Sequence, residues 1–313
     1  MKLQQLEALV AVVDSGSIRA AARMLNLSQA AISKSMRTLE QEAAVPLLVR
    51  LSRGVELTPA GHRLLARARL VTRQLELARD DLRQANDGDA GTLRIGIAPF
   101  ITMISLGQAF RWFRQRYRNV EVHFIEGLMT RVLPRLRDGT LDMAAVAADV
   151  GELQGDEFVR QRLLLAPQCV LVREGHPVLA EPTARALADL EWVFTQPIAG
   201  GLQPRLDAMF ALAGVAPPTR VVLTETLAGL AVLRGSDAAA VAPNLVLGLP
   251  ETHGIVAVPN SPLRPGDLEV LLLTRPDVPM TPAAAYFAHC LATVVSQSKS
   301  PAALPELRAR SSA

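Results

Sequence analysis

With 313 residues, half of them hydrophobic and 20% charged, the chain can bury more than one core and is neither a disordered nor a fibrous sequence. Two cysteines, Cys169 and Cys290, are too few for a disulfide framework or a thiolate metal site; both are expected as reduced thiols. The net charge of +3 conceals an imbalance, because residues 1–83 hold 13 Lys and Arg against 8 Asp and Glu, a surplus of +5, and the remainder carries −2. A basic front on a slightly acidic body is the pattern of a polyanion-binding module attached to something else.

Residues 1–13 contain charges and no long apolar run, so neither a signal peptide nor a membrane span is expected and the cytoplasm is the default compartment. Leu3, Leu6, Leu9, Val10 and Val13 share one helical stripe that stops at Asp14-Ser15-Gly16, a glycine-terminated helix end. Ser17 then caps a short helix over Ile18–Leu25, and Asn26-Leu27-Ser28 makes a turn. Ser28 caps a third helix, Gln29 to Ala43, which buries Ile32, Met36 and Leu39 and turns Gln29, Ser33, Lys34 and Arg37 outward. Two short helices joined by a tight turn form a helix-turn-helix, and Leu47–Arg50, Ser52-Arg53-Gly54 and Val55–Leu57 read as a two-stranded wing.

A long helix is expected from Pro59 to about Ala85. Its Leu64, Ala68, Val71, Leu75, Ala78 and Leu82 are spaced 4, 3, 4, 3 and 4 residues apart, the seam of a left-handed coiled coil and hence a dimerisation stripe; a helix lying on its own domain is the alternative. Past the polar stretch ending at Gly91, strands (Leu93–Ala98, Val120–Ile125, Leu141–Ala147) alternate with helices (Ile104–Tyr117, Met129–Arg137), which predicts a parallel sheet with right-handed crossovers. A second lobe is expected from about Pro167, with strands at Cys169–Val172 and Val221–Thr224 and a helix at Leu227–Leu233. A late strand, Leu268–Thr274, and a closing helix, Pro282–Val295, could return to either lobe.

Ser17-Ile18-Arg19-Ala20-Ala21-Ala22, Leu25, Ser28-Gln29, Ile32-Ser33, Leu39-Glu40, Pro46-Leu47-Leu48, Arg50, Arg53-Gly54, Leu57-Thr58 and Ala60-Gly61 closely resemble the N-terminal signature of LysR-type transcriptional regulators. Ala30 and Ala44 stand where many members carry Pro and Gly, and Leu48 where Phe is frequent. The rest of the chain resembles that family's effector domain more loosely, through Leu93-Arg94-Ile95-Gly96, Leu136-Arg137-Asp138-Gly139-Thr140-Leu141-Asp142 and Gly175-His176-Pro177.

The resemblance implies a multi-domain chain, with a mainly α winged helix-turn-helix followed by a bilobal α/β effector domain of the periplasmic-binding-protein type 2 fold. The expected plan is a DNA-binding domain over 1–58, a linker and dimerisation helix with a hinge over 59–90, and an effector-binding domain over 91–300. Within the last, lobe I takes about 91–165 and 268–300 and lobe II about 166–267, leaving 301–313 as a tail. The partners implied are double-stranded DNA, a small-molecule effector, further copies of the chain as a dimer of dimers (a homotetramer), and RNA polymerase, with no membrane.

On the DNA-binding face, Ser28, Gln29, Ala30, Ser33, Lys34, Arg37, Arg50 and Arg53 are the candidate contacts. Gln29 suits adenine N6 and N7, Lys34 and Arg37 suit guanine or phosphate, Ser28 and Ser33 suit either, and Arg53 at the wing tip suits phosphate or a narrow minor groove. Arg50 is equally suited to an ion pair with Glu40 or Glu42.

For the effector, the resemblance points to Ala98, Pro99, Phe100, Thr102, Met129, Thr130, Thr195, Gln196 and Ile198. Phe100 and Met129 replace hydroxyl residues, so an apolar pocket for an aromatic or otherwise hydrophobic acid is expected, with plain core roles for both as the alternative. His62, His123, His176, His253 and His289 show no ligand spacing, and phosphate-binding glycine loops are absent, so no metal, cofactor or catalytic residue is expected and the chain reads as a non-enzyme. The competing readings are a ligand-independent architectural DNA binder and a solute-binding or enzymatic α/β protein.

Overall fold

The computed structural model describes residues 1–51, 54–87, 90–195 and 204–298, with the backbone alone at 50–51, 84–87 and 204–206. Arg53, the predicted effector residues Gln196 and Ile198, and the predicted tail 301–313 therefore lie outside the described residues. The expected fold class is the observed one: a winged helical head, a long helix and a mixed α/β unit.

In the head, α1 (Leu3–Ser15) ends on Gly16, which takes a left-handed φ of 73° and donates its N–H to the Val13 carbonyl at 3.2 Å. Helix α2 (Ile18–Met24) opens on Ser17 and α3 (Gln29–Ala43) on Ser28; each serine hydroxyl accepts an N–H from the third residue beyond it, at 3.2 and 3.1 Å. Such a cap contributes about 1 kcal/mol by satisfying an amide that the helix leaves orphaned. Leu6, Leu9, Val12, Ala21, Ile32, Met36 and Leu39 close one core between the three helices. Strands β1 (Leu48–Leu51) and β2 (Gly54–Leu57) pair antiparallel as the wing, with Leu48 opposite Leu57.

Helix α4 (Pro59–Asp87) is tied to the head at its start, where the Thr58 hydroxyl donates to the Pro46 carbonyl at 2.8 Å and accepts the Gly61 N–H at 3.0 Å. The expected coiled-coil stripe is corrected here. Ala68 is fully enclosed by the head core, Leu65 lies in the same cluster, and Leu64 is half-buried against it. The reason is that α1 packs along the first half of α4, so the stripe's first two positions are used within the chain. Its continuation stays open, with Val71 48% and Leu82 69% exposed.

The second half of α4 docks on the α/β unit through charge. Arg73, nearly fully buried, grips Asp142 in a fork, from Nε at 3.0 Å and from Nη2 at 2.7 Å, and also reaches Glu76 and the Thr92 carbonyl. Burial opposes its charge, but the Asp142 carboxylate outweighs that and holds the guanidinium above its ordinary value. Asp142 accepts the Arg94 N–H at 2.8 Å, and the buried Asp80 accepts the Thr92 N–H at 3.1 Å. Arg69 bridges Asp14 of α1 and Asp138, the latter at 2.8 Å.

The first lobe runs β3 (Thr92–Ile97), α5 (Pro99–Ile101), a π-helical turn at Thr102–Leu106, α6 (Gly107–Arg116), β4 (Glu121–Glu126), α7 (Met129–Arg137) and β5 (Met143–Asp149). Strands β4, β3 and β5 are parallel, as expected. Strand β6 (Val159–Arg173) is far longer than the sequence suggested, because its polar first half, Arg160-Gln161-Arg162, carries no apolar alternation. It serves both lobes.

The second lobe continues with α8 (Ala184–Ala188), β7 (Glu191–Phe194), α9 (Pro204–Leu212), β8 (Val221–Leu223), α10 (Thr226–Gly235), β9 (Ala238–Pro243) and β10 (Ile255–Ala257). The chain then returns as β11 (Asp267–Thr274) and α11 (Pro282–Gln297). Strand β11 lies antiparallel between β5 and the first half of β6, whereas the second half of β6 pairs with β9 and β10. The strand pattern alone left the placement of β11 and α11 open, while the domain plan put 268–300 in lobe I; β11 and its partners lie in the first lobe, where α11 packs on α6.

One close approach fixes how the wing meets α4. A Cβ at Gly61 would fall well inside van der Waals contact of the Leu47 carbonyl oxygen and against Leu57, and a backbone carbonyl cannot rotate away as a side chain can. Gly61→Ala is therefore expected to destabilise the head by about 1–3 kcal/mol, read as a lowered thermal midpoint of the full chain.

Candidate nucleic-acid interface and effector site

Helix α3 presents the residues predicted from its periodicity. Gln29, Ala30, Lys34 and Arg37 are exposed, Ser33 is half-buried, and Ile32, Met36 and Leu39 face the core. Gln29, Ala30, Ser33, Lys34 and Arg37 line one shallow concave surface together with Thr38 and Gln41. The sequence reading missed these last two, although Ala30, Lys34, Thr38 and Gln41 follow the helix repeat and the spacing alone could have found them. Ser28 is exposed, but its hydroxyl is already accepting from Ala31 N–H, so its first duty is the cap.

The two carboxylates weighed for Arg50 each have other partners. Glu40 Oε1 accepts the N–H groups of Leu47 at 2.8 Å and Leu48 at 3.1 Å, which anchors the start of the wing to α3. Glu42 pairs with the Met1 ammonium and accepts from Gln5 at 3.3 Å. The side chains of Arg50 and Arg53 lie outside the described residues.

In the α/β unit, the predicted effector residues fall where parallel strands end. Ala98 follows β3 and donates its N–H to the Ala145 carbonyl at 2.9 Å, and Gly127 follows β4 and donates to the Ile97 carbonyl at 3.0 Å. Those two bonds bring the Ala98–Thr102 and Gly127–Thr130 segments side by side. Thr195 follows β7 in the other lobe, where its methyl and that of Thr224, at the end of β8, border Gly229 of α10. The strand that ends at Thr224 was expected, but Thr224 was not among the predicted effector residues.

The expected apolar lining shared by Phe100 and Met129 is corrected. Phe100 is buried in the cluster that holds Ile95, Ile97, Ile101 and Phe113, whereas Met129 packs on the cluster of Val132, Leu133, Ala144 and Val146. The two clusters occupy opposite faces of the sheet, because Met143 and Ala145 of β5 point to one and Ala144 and Val146 to the other. Thr102 is half-buried, with its hydroxyl turned back to the Ala98 carbonyl at 3.4 Å. The Phe100 cluster also takes Val193, Leu233, Leu245 and Val246 from the second lobe, and half-buried Met103, Ile104, Leu106 and Leu230 border it.

His176 Nδ1 accepts the Val178 N–H at 2.9 Å, which caps the short helical turn that follows it. Burial pushes the Cys169 thiol up to about 11, and burial likewise raises Cys290. Among the described residues no helix is long and apolar enough to cross a membrane, and no cluster of His, Cys, Asp and Glu could hold a metal ion.

Residues 3–62 match the bacterial regulatory helix-turn-helix protein family of the lysR type, and residues 86–296 match the LysR substrate binding domain. The chain is 31% identical to the HTH-type transcriptional regulator GbpR of Rhizobium radiobacter over 72% of its own length and 75% of the relative's. It is also 31% identical to the DNA-binding transcriptional dual regulator OxyR of Escherichia coli K12, over 56% of this chain and 57% of that one. Among solved structures it resembles full-length OxyR from Pseudomonas aeruginosa, with a TM-score of 0.66 at 21% identity over 94% of both chains. It also resembles full-length CbnR in complex with its target DNA, with a TM-score of 0.63 at 21% identity over 94% of this chain and all of that one. Matched over both its helical head and its α/β unit, the chain belongs to the LysR family of DNA-binding transcriptional regulators with an effector-binding domain.

Proposed function

We propose that the chain is a cytoplasmic regulator that works as paired copies on duplex DNA, and that its α/β unit takes a small hydrophobic acid between the lobes. The observation that carries the DNA-binding part is the single outward face of α3, where Gln29, Ala30, Lys34, Thr38 and Gln41 stand clear of the core with Arg37 among them. An amide for adenine, a methyl for thymine and two cations for guanine or phosphate are the chemistry the major groove calls for.

Pairing is supported by what remains of the α4 stripe. Val71, Leu75, Ala78 and Leu82 keep a 4, 3, 4 spacing, with Val71 and Leu82 open to solvent, and a narrow apolar seam on a polar helix is hidden only by a second helix. Assembly into a dimer of dimers and contact with RNA polymerase extend this reading.

The effector reading rests on composition at the lobe junction. Apolar Met103, Ile104, Leu106 and Leu230 border it, and Thr102, Thr195 and Thr224 supply hydroxyls at strand ends. Oxidant sensing through a thiolate is a poor match, because Cys169 at about 11 is almost wholly protonated at neutral pH. The burial of Phe100 favours a second reading, in which the lobes are held together by core packing and the α/β unit serves assembly alone.

Three outcomes test these readings. Lys34→Ala with Arg37→Ala should weaken duplex binding and flatten the plot of log affinity against log salt by about 1–2, the loss of one or two phosphate contacts; an unchanged slope removes α3 from the interface. Val71→Asp with Leu82→Asp should shift the sedimentation equilibrium towards monomer, since each apolar side chain kept from water contributes about 1.5–3 kcal/mol. Thermal shift against benzoate-like and aliphatic acids should raise the midpoint with ligand concentration, whereas a flat response across the panel selects the assembly-only reading.

A further inference from the structure

Three guanidiniums converge on the corner that joins α7 to β5, and two of them are paired. Arg69 holds Asp138 and Arg73 holds Asp142. The third, Arg275, follows β11 on the strand next to β5. It is only 8% exposed, and its Nε and Nη1 have no hydrogen-bond partner among the described residues. Nη1 lies 2.5 Å from where a Cβ on Gly139 would stand, and Leu70 of α4 borders the same point. Arg275 thus sits between the Asp138-Gly139 turn, whose glycine takes a left-handed φ of 79°, and the docked helix.

An arginine buried without partners is costly. Removing a guanidinium from water without a hydrogen-bonded counter-charge costs several kcal/mol, and buried polar atoms are nearly always satisfied. Burial and the neighbouring Arg73 both work against the charge of Arg275, while Asp142 and Asp138 attract it. The two carboxylates it needs are within its field and are already taken by α4.

We propose that this corner is a two-position latch between the DNA-binding head and the effector unit. In the arrangement seen here Arg69 and Arg73 hold Asp138 and Asp142. In a second arrangement α4 swings off the corner and Arg275 takes over the carboxylates. Because Arg69 also grips Asp14 of α1, the same exchange frees the head from the α/β unit. Arg275 raises the free energy of the latched form and lowers that of the released form, which narrows the gap that an effector must bridge by its differential affinity. This inference rests on the regulator reading only for its purpose; the exchange itself is a property of the free protein.

Hydrogen exchange of the α4 amides in the full-length, DNA-free protein tests it. Arg69→Met should speed exchange across the second half of α4 by about tenfold, as expected when a partly buried ion pair is lost and local opening becomes easier. Arg275→Met should slow it by about threefold, because the competitor is gone while the locked pairs remain. If Arg275→Met instead speeds exchange as Arg69→Met does, Arg275 is merely structural cement and the latch is overturned. Asp14→Asn, a half-exposed change that leaves every effector-side contact intact, guards against misfolding of the other variants. On a duplex selected from a random-sequence pool it should alter the bend angle read by end-to-end energy transfer, and an unaltered angle with binding intact overturns the coupling to the head. Wild-type protein that selects no duplex at all sinks the regulator reading and leaves the exchange results standing.

Discussion

The arrangement of the whole chain depends on one helix being shared by two cores that want different things from it. The first half of α4 gives Leu65 and Ala68 to the head, where apolar burial holds it. The second half gives Arg73 and Asp80 to the α/β unit, where directional charge and hydrogen bonding hold it. Hydrophobic contact tolerates sliding, whereas a forked guanidinium–carboxylate pair does not. The Arg73–Asp142 pair therefore sets the angle at which the head leaves the effector unit. Such a pair adds little net stability over an apolar contact, yet losing one partner is costly, about 3–5 kcal/mol. Its value to the fold is geometric: it defines one docked state against which another can be measured.

That division bears on how a regulator could be read out at a distance. Strand β6 runs through both lobes and pairs with β11 along its first half and with β9 and β10 along its second. A change in the angle between the lobes is consequently felt along β6 and along β11 beside it. Strand β11 ends next to the residues that grip α4. The path from lobe to head is thus a pair of adjacent strands and one ionic corner, with Asp14 of α1 joined to the same corner through Arg69. Coupling through such a path is an energetic claim and rests on the corner having two arrangements of comparable free energy.

The head was legible in the sequence because each of its elements is fixed by local rules. Ser17 and Ser28 are both caps and Gly16 is a left-handed helix end, and the four- and three-residue spacing of Ile32, Met36 and Leu39 can bury only one face. The parallel order of β4, β3 and β5 was legible for a similar reason, since β3 and β4 are each followed by a helix that carries the chain back to the next parallel strand. What stayed hidden was set by tertiary contact. The seam of α4 reads as one continuous stripe, and nothing local says that α1 covers its upper end. Strand β7, Glu191–Phe194, is too brief to stand out, and β6 opens with polar residues because its first four positions are exposed on both of its sides. The site was hidden in the same way: Phe100 and Met129 stand at equivalent places in successive strand–helix units, yet α5 and α7 cover opposite faces of the sheet.

The unpaired Arg275 shows why sequence cannot reveal a latch. In sequence it is an arginine after a strand, two residues before Asp277, and the bland reading is a solvated charge. Its meaning comes from the turn at Gly139, 136 positions earlier, against which it lies, and from Arg69 and Arg73, which occupy the carboxylates that attract it. Replacing it by an apolar side chain of similar length would relieve an unsatisfied donor, so a chain optimised for rigidity alone would not keep it. An unsatisfied charge at the junction of three structural units is a stored bias, and a stored bias is useful only to a molecule that has somewhere else to go.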